Sequence, residues 1–154
     1  MSIEEEVAGA PTSAGEAAAT PRLERSYDDG QVHFVVTADA GDQVTIVVRG
    51  RGTLAGAERM IEYLDEALAG AGPGRQLRLF FDVARVRGAP LRSQLLFGRW
   101  LFGHRRALRR AVVFGAAAWE RRLATVVCKV GGFDAFRFFD EQHGDDARRW
   151  LADG

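Results

Sequence analysis

Between Leu68 and Leu77 the chain reads Ala-Gly-Ala-Gly-Pro-Gly-Arg-Gln, and no regular element runs through it. Glycine frees the backbone and proline removes a donor, so the stretch from Gly70 to Gly74 ends whatever precedes it. Before the break, Leu54, Ala57, Ile61, Leu64 and Leu68 recur at helical spacing behind Thr53, a residue type that caps helices. After it, Leu77 to Val83 (LRLFFDV) is a short apolar run suited to a buried strand. A switch from helical to extended period across one break is the repeating unit of an α/β chain.

The switch recurs downstream. Pro90 opens a predicted helix from Leu91 to Leu108, and Ala111 to Gly115 (AVVFG) reads as a second buried strand. Trp119, Leu123, Val126, Val127 and Val130 mark a helix that stops at Gly131-Gly132. Ala135 to Phe139 (AFRFF) reads as a last strand, and Asp145 to Leu151 as a closing helix headed by acids. Upstream, the β-branched runs Gln31 to Thr37 and Asp42 to Arg49 flank a turn-rich segment and predict an antiparallel hairpin. The expected order is ββαβαβαβα, an α/β fold with a mixed, mostly parallel sheet and helices packed against it.

Residues 1–22 hold four Glu and many Ala, Gly and Pro, with Ile3 and Val7 as the sizeable apolar groups, so they predict a disordered acidic tail. The remaining 23–154 suffice for one domain, and a hydrophobic fraction of 47% supplies its core. No run reaches the roughly 20 apolar residues of a membrane-spanning helix. The acidic start Met1-Ser2-Ile3-Glu4-Glu5-Glu6 is unlike a secretion signal, and the single Cys128 cannot form an internal disulfide. Together these predict a soluble, cytoplasmic protein.

The formal charge is zero, but it is a cancellation. Residues 1–74 carry 5 basic and 13 acidic groups, residues 75–129 carry 13 and 2, and residues 130–154 carry 3 and 6. The basic middle includes Arg105, Arg106, Arg109 and Arg110, a set suited to an acidic protein or to anionic lipid headgroups. RNA suits it least, because the aromatics fall on helix faces rather than on a sheet where bases stack.

Catalytic chemistry finds little support. Cys128 sits among valines, as an inert buried thiol does. His33, His104 and His143 belong to different elements, and no metal-ligand spacing occurs, so neither an enzyme nor a metal site is expected. No cofactor is expected either. The turn Gly50-Arg51-Gly52-Thr53-Leu54-Ala55-Gly56 lies between a strand and a helix, as a phosphate-cradling turn would. Gly50, Gly52 and Thr53, with Asp82 at a strand end, are therefore candidate ligand or phosphate contacts. Against a dinucleotide site, the preceding strand belongs to a hairpin, and Asp82 lies about 30 residues on rather than the ≈ 20 expected for a ribose contact.

The helix from Leu91 to Leu108 is the more informative candidate. At 100° per residue, Arg92, Arg99 and Arg106 form one stripe. Leu96, Phe97, Trp100, Leu101 and Leu108 lie to one side, and Leu91, Leu95 and Phe102 to the other. A helix covering one sheet face needs one apolar stripe, so the second invites a partner: another protein, a second copy of the chain or a lipid. Arg92, Arg99, Trp100, Phe102 and Arg106 are the candidate contact residues.

Several strings resemble the STAS domains, specifically the SpoIIAA-like branch whose fold is shared with CRAL-TRIO lipid-binding proteins. They are Leu79-Phe80-Phe81-Asp82, Ala111-Val112-Val113-Phe114-Gly115 leading into Trp119 to Thr125, Phe136-Arg137-Phe138-Phe139-Asp140, and Ala147-Arg148-Arg149-Trp150-Leu151. The resemblance covers roughly residues 30–152. It implies a small non-enzymatic regulator that binds another protein, like the anti-sigma-factor antagonists. The kinship with CRAL-TRIO implies a second reading, a lipid or apolar-ligand carrier with residues 91–108 as lid. A nucleotide-binding module at the glycine turn is a third.

Classical antagonists carry an Asp-Ser-Ser-Gly-like phosphoacceptor motif after the central strand. Here that region reads Asp82-Val83-Ala84-Arg85-Val86-Arg87-Gly88-Ala89-Pro90-Leu91-Arg92-Ser93, without the motif. Ser93 is the nearby hydroxyl and the candidate phosphoacceptor, expected on the helix surface.

Overall fold

The computed structural model describes residues 20–116 and 135–154. Its sheet has six strands in the order of the sequence: β1 (Leu23–Asp28), β2 (Val32–Ala38), β3 (Gln43–Gly50), β4 (Leu77–Val86), β5 (Leu108–Phe114) and β6 (Phe136–Phe139). The first three form an antiparallel meander, and the β3–β4, β4–β5 and β5–β6 pairs are parallel. The helices are α1 (Leu54–Ala71), α2 (Leu91–Gly103) and α3 (Gly144–Ala152).

The α/β class, the hairpin and the parallel continuation agree with expectation, and two boundaries do not. The described residues hold one strand more than the sequence predicts, β1, in which Leu23 alone is buried. Three of its six residues are charged, so it lacks the alternation that marks a strand facing a core. Such polar edges discourage pairing with other chains. The predicted helix from Leu91 to Leu108 ends instead at Gly103, followed by a short 3-10 turn over Arg105–Ala107. Leu108 opens β5, where it lies opposite Leu77, so its apolar side chain serves the sheet and not the helix. The predicted helix marked by Trp119 to Val130, with Cys128, lies outside the described residues, as does most of the N-terminal tail.

Strand side chains alternate between faces, which sorts the core into two parts. On one face Phe34 and Val36 of β2, Val44 and Ile46 of β3 and Leu77 and Leu79 of β4 meet Met60, Leu64 and Ala67 of α1 and Trp100 and Leu101 of α2. On the other, Phe80 and Val112 meet Ala147 and Leu151 of α3, with Phe114, Phe139 and Trp150 around them. At roughly 1.5–3 kcal/mol per large buried side chain, the first face dominates stability.

The break after α1 works as its composition demands. Gly72 caps the helix at φ +89°, and Gly74 also takes positive φ. Thr53 caps the other end, its hydroxyl accepting from Gly56 N at 3.0 Å.

Candidate functional site

Among the described residues, helix α2 is seated by one side and uncovered on the other. Phe97 meets Phe81 of β4 with ring centroids 4.4 Å apart. Trp100 is 6% exposed, and its Nε1 donates to Asp65 Oδ1 of α1 at 2.7 Å. His104 stacks on Trp100 at 4.4 Å. Ser93, Phe97, Trp100 and His104 recur at helical spacing, which is why these side chains point inward together.

The opposite side of α2 presents Leu91 and Leu95, exposed at 66% and 57%. Arg92 and Arg99 stand beside them, both exposed, and neither has a hydrogen bond or ion pair among the described residues. The second apolar face expected from the spacing is thus present in Leu91 and Leu95, while Phe102 is half-buried and packs against the core. Trp100 is not on the exposed side of α2, because its ring is buried in the core and its indole N–H is tied to Asp65 of α1. Arg106 is exposed but leaves the stripe, since the helix has ended before it.

The cluster read from Arg105 to Arg110 is also divided. Arg110 turns to α3, lying 4.4 Å over the Trp150 ring and donating to the Trp150 carbonyl. Arg105 donates to the Phe102 carbonyl at 2.6 Å. Strand β5 carries alternate side chains to opposite faces, so adjacency in sequence does not make one patch.

Ser93 was expected on the surface and is 6% exposed, its Oγ buried without a hydrogen-bond partner among the described residues. It lies four residues before Phe97 on the inward side. A kinase can reach this hydroxyl only if the first turn of α2 opens.

At the glycine turn, the missing side chains are matched by the protein's own atoms. Gly50 has φ +95°, and a Cβ there would stand 2.2 Å from the Gln31 carbonyl oxygen. A Cβ on Gly52 would meet Ala89, and one on Gly56 would meet Val32. The Thr53 hydroxyl donates to Asp29 Oδ2 at 2.6 Å. Asp29 Oδ1 takes the amides of Gln31 and Val32, each at 2.9 Å. The Thr53 hydroxyl above all, then the Val32 and Gln31 amides, hold this carboxyl at about 2, below its ordinary 3.8. Asp82 accepts from Ala84 N at 3.0 Å, where β4 bulges against β3.

Sequence reasoning missed a second cluster. Arg49 and Arg85 are partners across β3 and β4, and His33 is the partner of Arg49 across β2. With Arg87, Asp28 and Gly50 they line a recess of about 460 Å³ at one end of the sheet. The repeated spacing Arg49-Gly-Arg51 and Arg85-Val-Arg87 at two strand ends was the available signal.

Among the described residues no group of three His, Cys, Asp or Glu side chains is placed to hold a metal ion, and no helix is long and apolar enough to cross a membrane. No curated protein matches the sequence. One solved structure, of an uncharacterized protein of the DUF3478 family with a SpoIIAA-like fold from Shewanella loihica PV-4, superposes with a TM-score of 0.57. It is 18% identical over 86% of this chain and 98% of its own, a likeness of fold. The family model described as SpoIIAA-like matches residues 43–152, from β3 through α3. With most of the chain covered and the same fold formed, this protein belongs to the SpoIIAA-like family.

Proposed function

We propose that this protein is a non-enzymatic regulatory domain of the anti-sigma-factor-antagonist kind, which acts by binding another protein through the outward side of α2. The observation that carries the reading is the exposure of Leu91 and Leu95 beside two arginines that have no hydrogen bond or ion pair among the described residues. Covering each leucine would contribute about 1.5–3 kcal/mol if its full side chain left water. The fitting partner offers an apolar groove bordered by carboxylates. A second copy fits less well, since a two-fold contact would set Arg92 and Arg99 against their own counterparts.

The burial of Ser93 supports a contact made without a phosphate switch at that residue. The inward set Phe97, Trp100 and Leu101 supports a rigid α2, so the contact surface is formed before the partner arrives.

A photo-crosslinking side chain placed at position 95 tests this in the native cells. Capture of one defined protein is expected from position 95 and not from position 43 on the far side of the sheet. The Arg92→Glu/Arg99→Glu pair is expected to abolish capture, and the double variant should melt within about 0.5 kcal/mol of the parent because both positions are exposed. Capture indifferent to those reversals, or absent, would overturn the reading.

A further inference from the structure

We propose that the recess at the ends of β3 and β4 is a binding site for a phosphate monoester carried by a small soluble molecule. It lies on a different surface from the α2 contact and does not depend on it.

Strands about 4.8 Å apart place Arg49 and Arg85 side by side, with like charges directly opposite. That arrangement destabilises an empty sheet, and a fold selected for stability alone would have no reason to keep it. Neither side chain, nor that of Arg87, has an ion pair or hydrogen bond among the described residues. Arg87 is held in register by its own amide, which donates to the Gly50 carbonyl at 2.8 Å. His33 adds a fourth donor from β2.

The recess also contains Asp28, but one of its oxygens already accepts from Gly30 N at 2.9 Å. Three guanidinium groups against one carboxylate leave the recess strongly positive. Planar guanidinium forks match the paired oxygens of a phosphate, and several converging on one point favour a doubly charged oxyanion over a single carboxylate. The position agrees with the rule that open α/β sheets take ligands outside the carboxyl ends of their strands. The recess, about 460 Å³, is open to solvent and its three arginines are exposed, so a phosphate with a short attached group can reach them directly.

The test is calorimetric titration with inorganic phosphate and with glycerol 3-phosphate, in a buffer free of other oxyanions. Saturable binding is expected, with a rise in melting temperature as ligand is added. Arg49→Gln, Arg85→Gln and Arg87→Gln are each expected to weaken binding by about tenfold or more, as loss of one charge-assisted contact does. Arg99→Gln on α2 should leave it unchanged. Without ligand, Arg85→Gln should melt no lower than the parent, because the like-charge pair is relieved; a purely structural arginine would give a lower melting temperature. Absence of saturable binding, or equal affinity in the parent and all three variants, would overturn the site. Retention on equimolar phosphatidylcholine and phosphatidic acid vesicles, with no binding of either soluble probe, would overturn the soluble source.

Discussion

Phe34 and Val35 are consecutive residues of one strand with opposite surroundings. Phe34 is fully buried, stacked on Tyr27 with centroids 5.3 Å apart and edge-on to Tyr63 at 6.1 Å. Val35 points to the other face, where its partner Val47 is 44% exposed. The helices explain the contrast. Among the described residues, helices α1 and α2 lie on the first face, whereas α3 reaches only the β4 to β6 part of the second. The covered face holds the chain together, and the half-covered one presents backbone-fixed side chains to solvent. Features with no evident stabilising role, such as the Arg49–Arg85 pair, collect where burial does not dictate the residue.

The largest expected difference follows from that pair of neighbours. Phe34→Ala should cost about 3–5 kcal/mol by cavity formation. Val35→Ala should cost less than about 1 kcal/mol, since its site is partly solvated. Urea unfolding of both variants measures the gap, and equal losses would erase the distinction between the faces.

A smaller effect separates the two sides of α2. Trp100→Phe keeps most of the packing but removes the indole donor to Asp65, and should lower stability by about 1–2 kcal/mol in the same assay. A loss no larger than that of a surface change would mean that the contact between α1 and α2 does not depend on this bond.

The smallest effect lies at the rim, where the β1–β2 turn meets α1. The Asp29 carboxyl is held at about 2, below the ordinary 3.8, so its contribution is present above the ordinary carboxylate range and fades as pH falls through about 2. The parent should therefore melt above Asp29→Asn at neutral pH, and the difference should close as acid is added toward pH 2. A difference constant from pH 6 to pH 2 would show that the charge is not what the turn uses.

What was legible in the sequence followed from periodicity and punctuation. Thr53, the glycine-proline break and the run from Leu77 each carry a local physical requirement, and α1, β3 and β4 fall close to their expected bounds. Spacing separates Leu91 and Leu95 from Phe97 and Trp100, but it does not say which side meets the core: the residues it nominates for contact include Trp100, which is buried, and Phe102, which is half-buried, and not the two exposed leucines. The end of α2 was not legible, since Leu108 continues an apolar pattern whether the backbone is coiled or extended. The burial of Ser93 escaped notice because a small hydroxyl suits either environment. The arginine recess was least legible of all. It exists only through register, which brings Arg85 beside Arg49, 36 positions earlier in the chain, and Arg49 beside His33.

The order of the strands has a consequence for how the chain reaches this state. Among the described residues, every neighbour in the sheet is also the neighbouring strand in the sequence. The meander of β1 to β3 is complete by Gly50, and each later strand joins an edge that already exists. No central slot stands empty awaiting a segment made last, so a chain leaving the ribosome can assemble by extension from one side. The parallel β3–β4 and β4–β5 pairs still wait on their crossover helices, which slows them, but pairing in chain order shortens the time that an unpaired hydrophobic strand such as β4 is open to other chains.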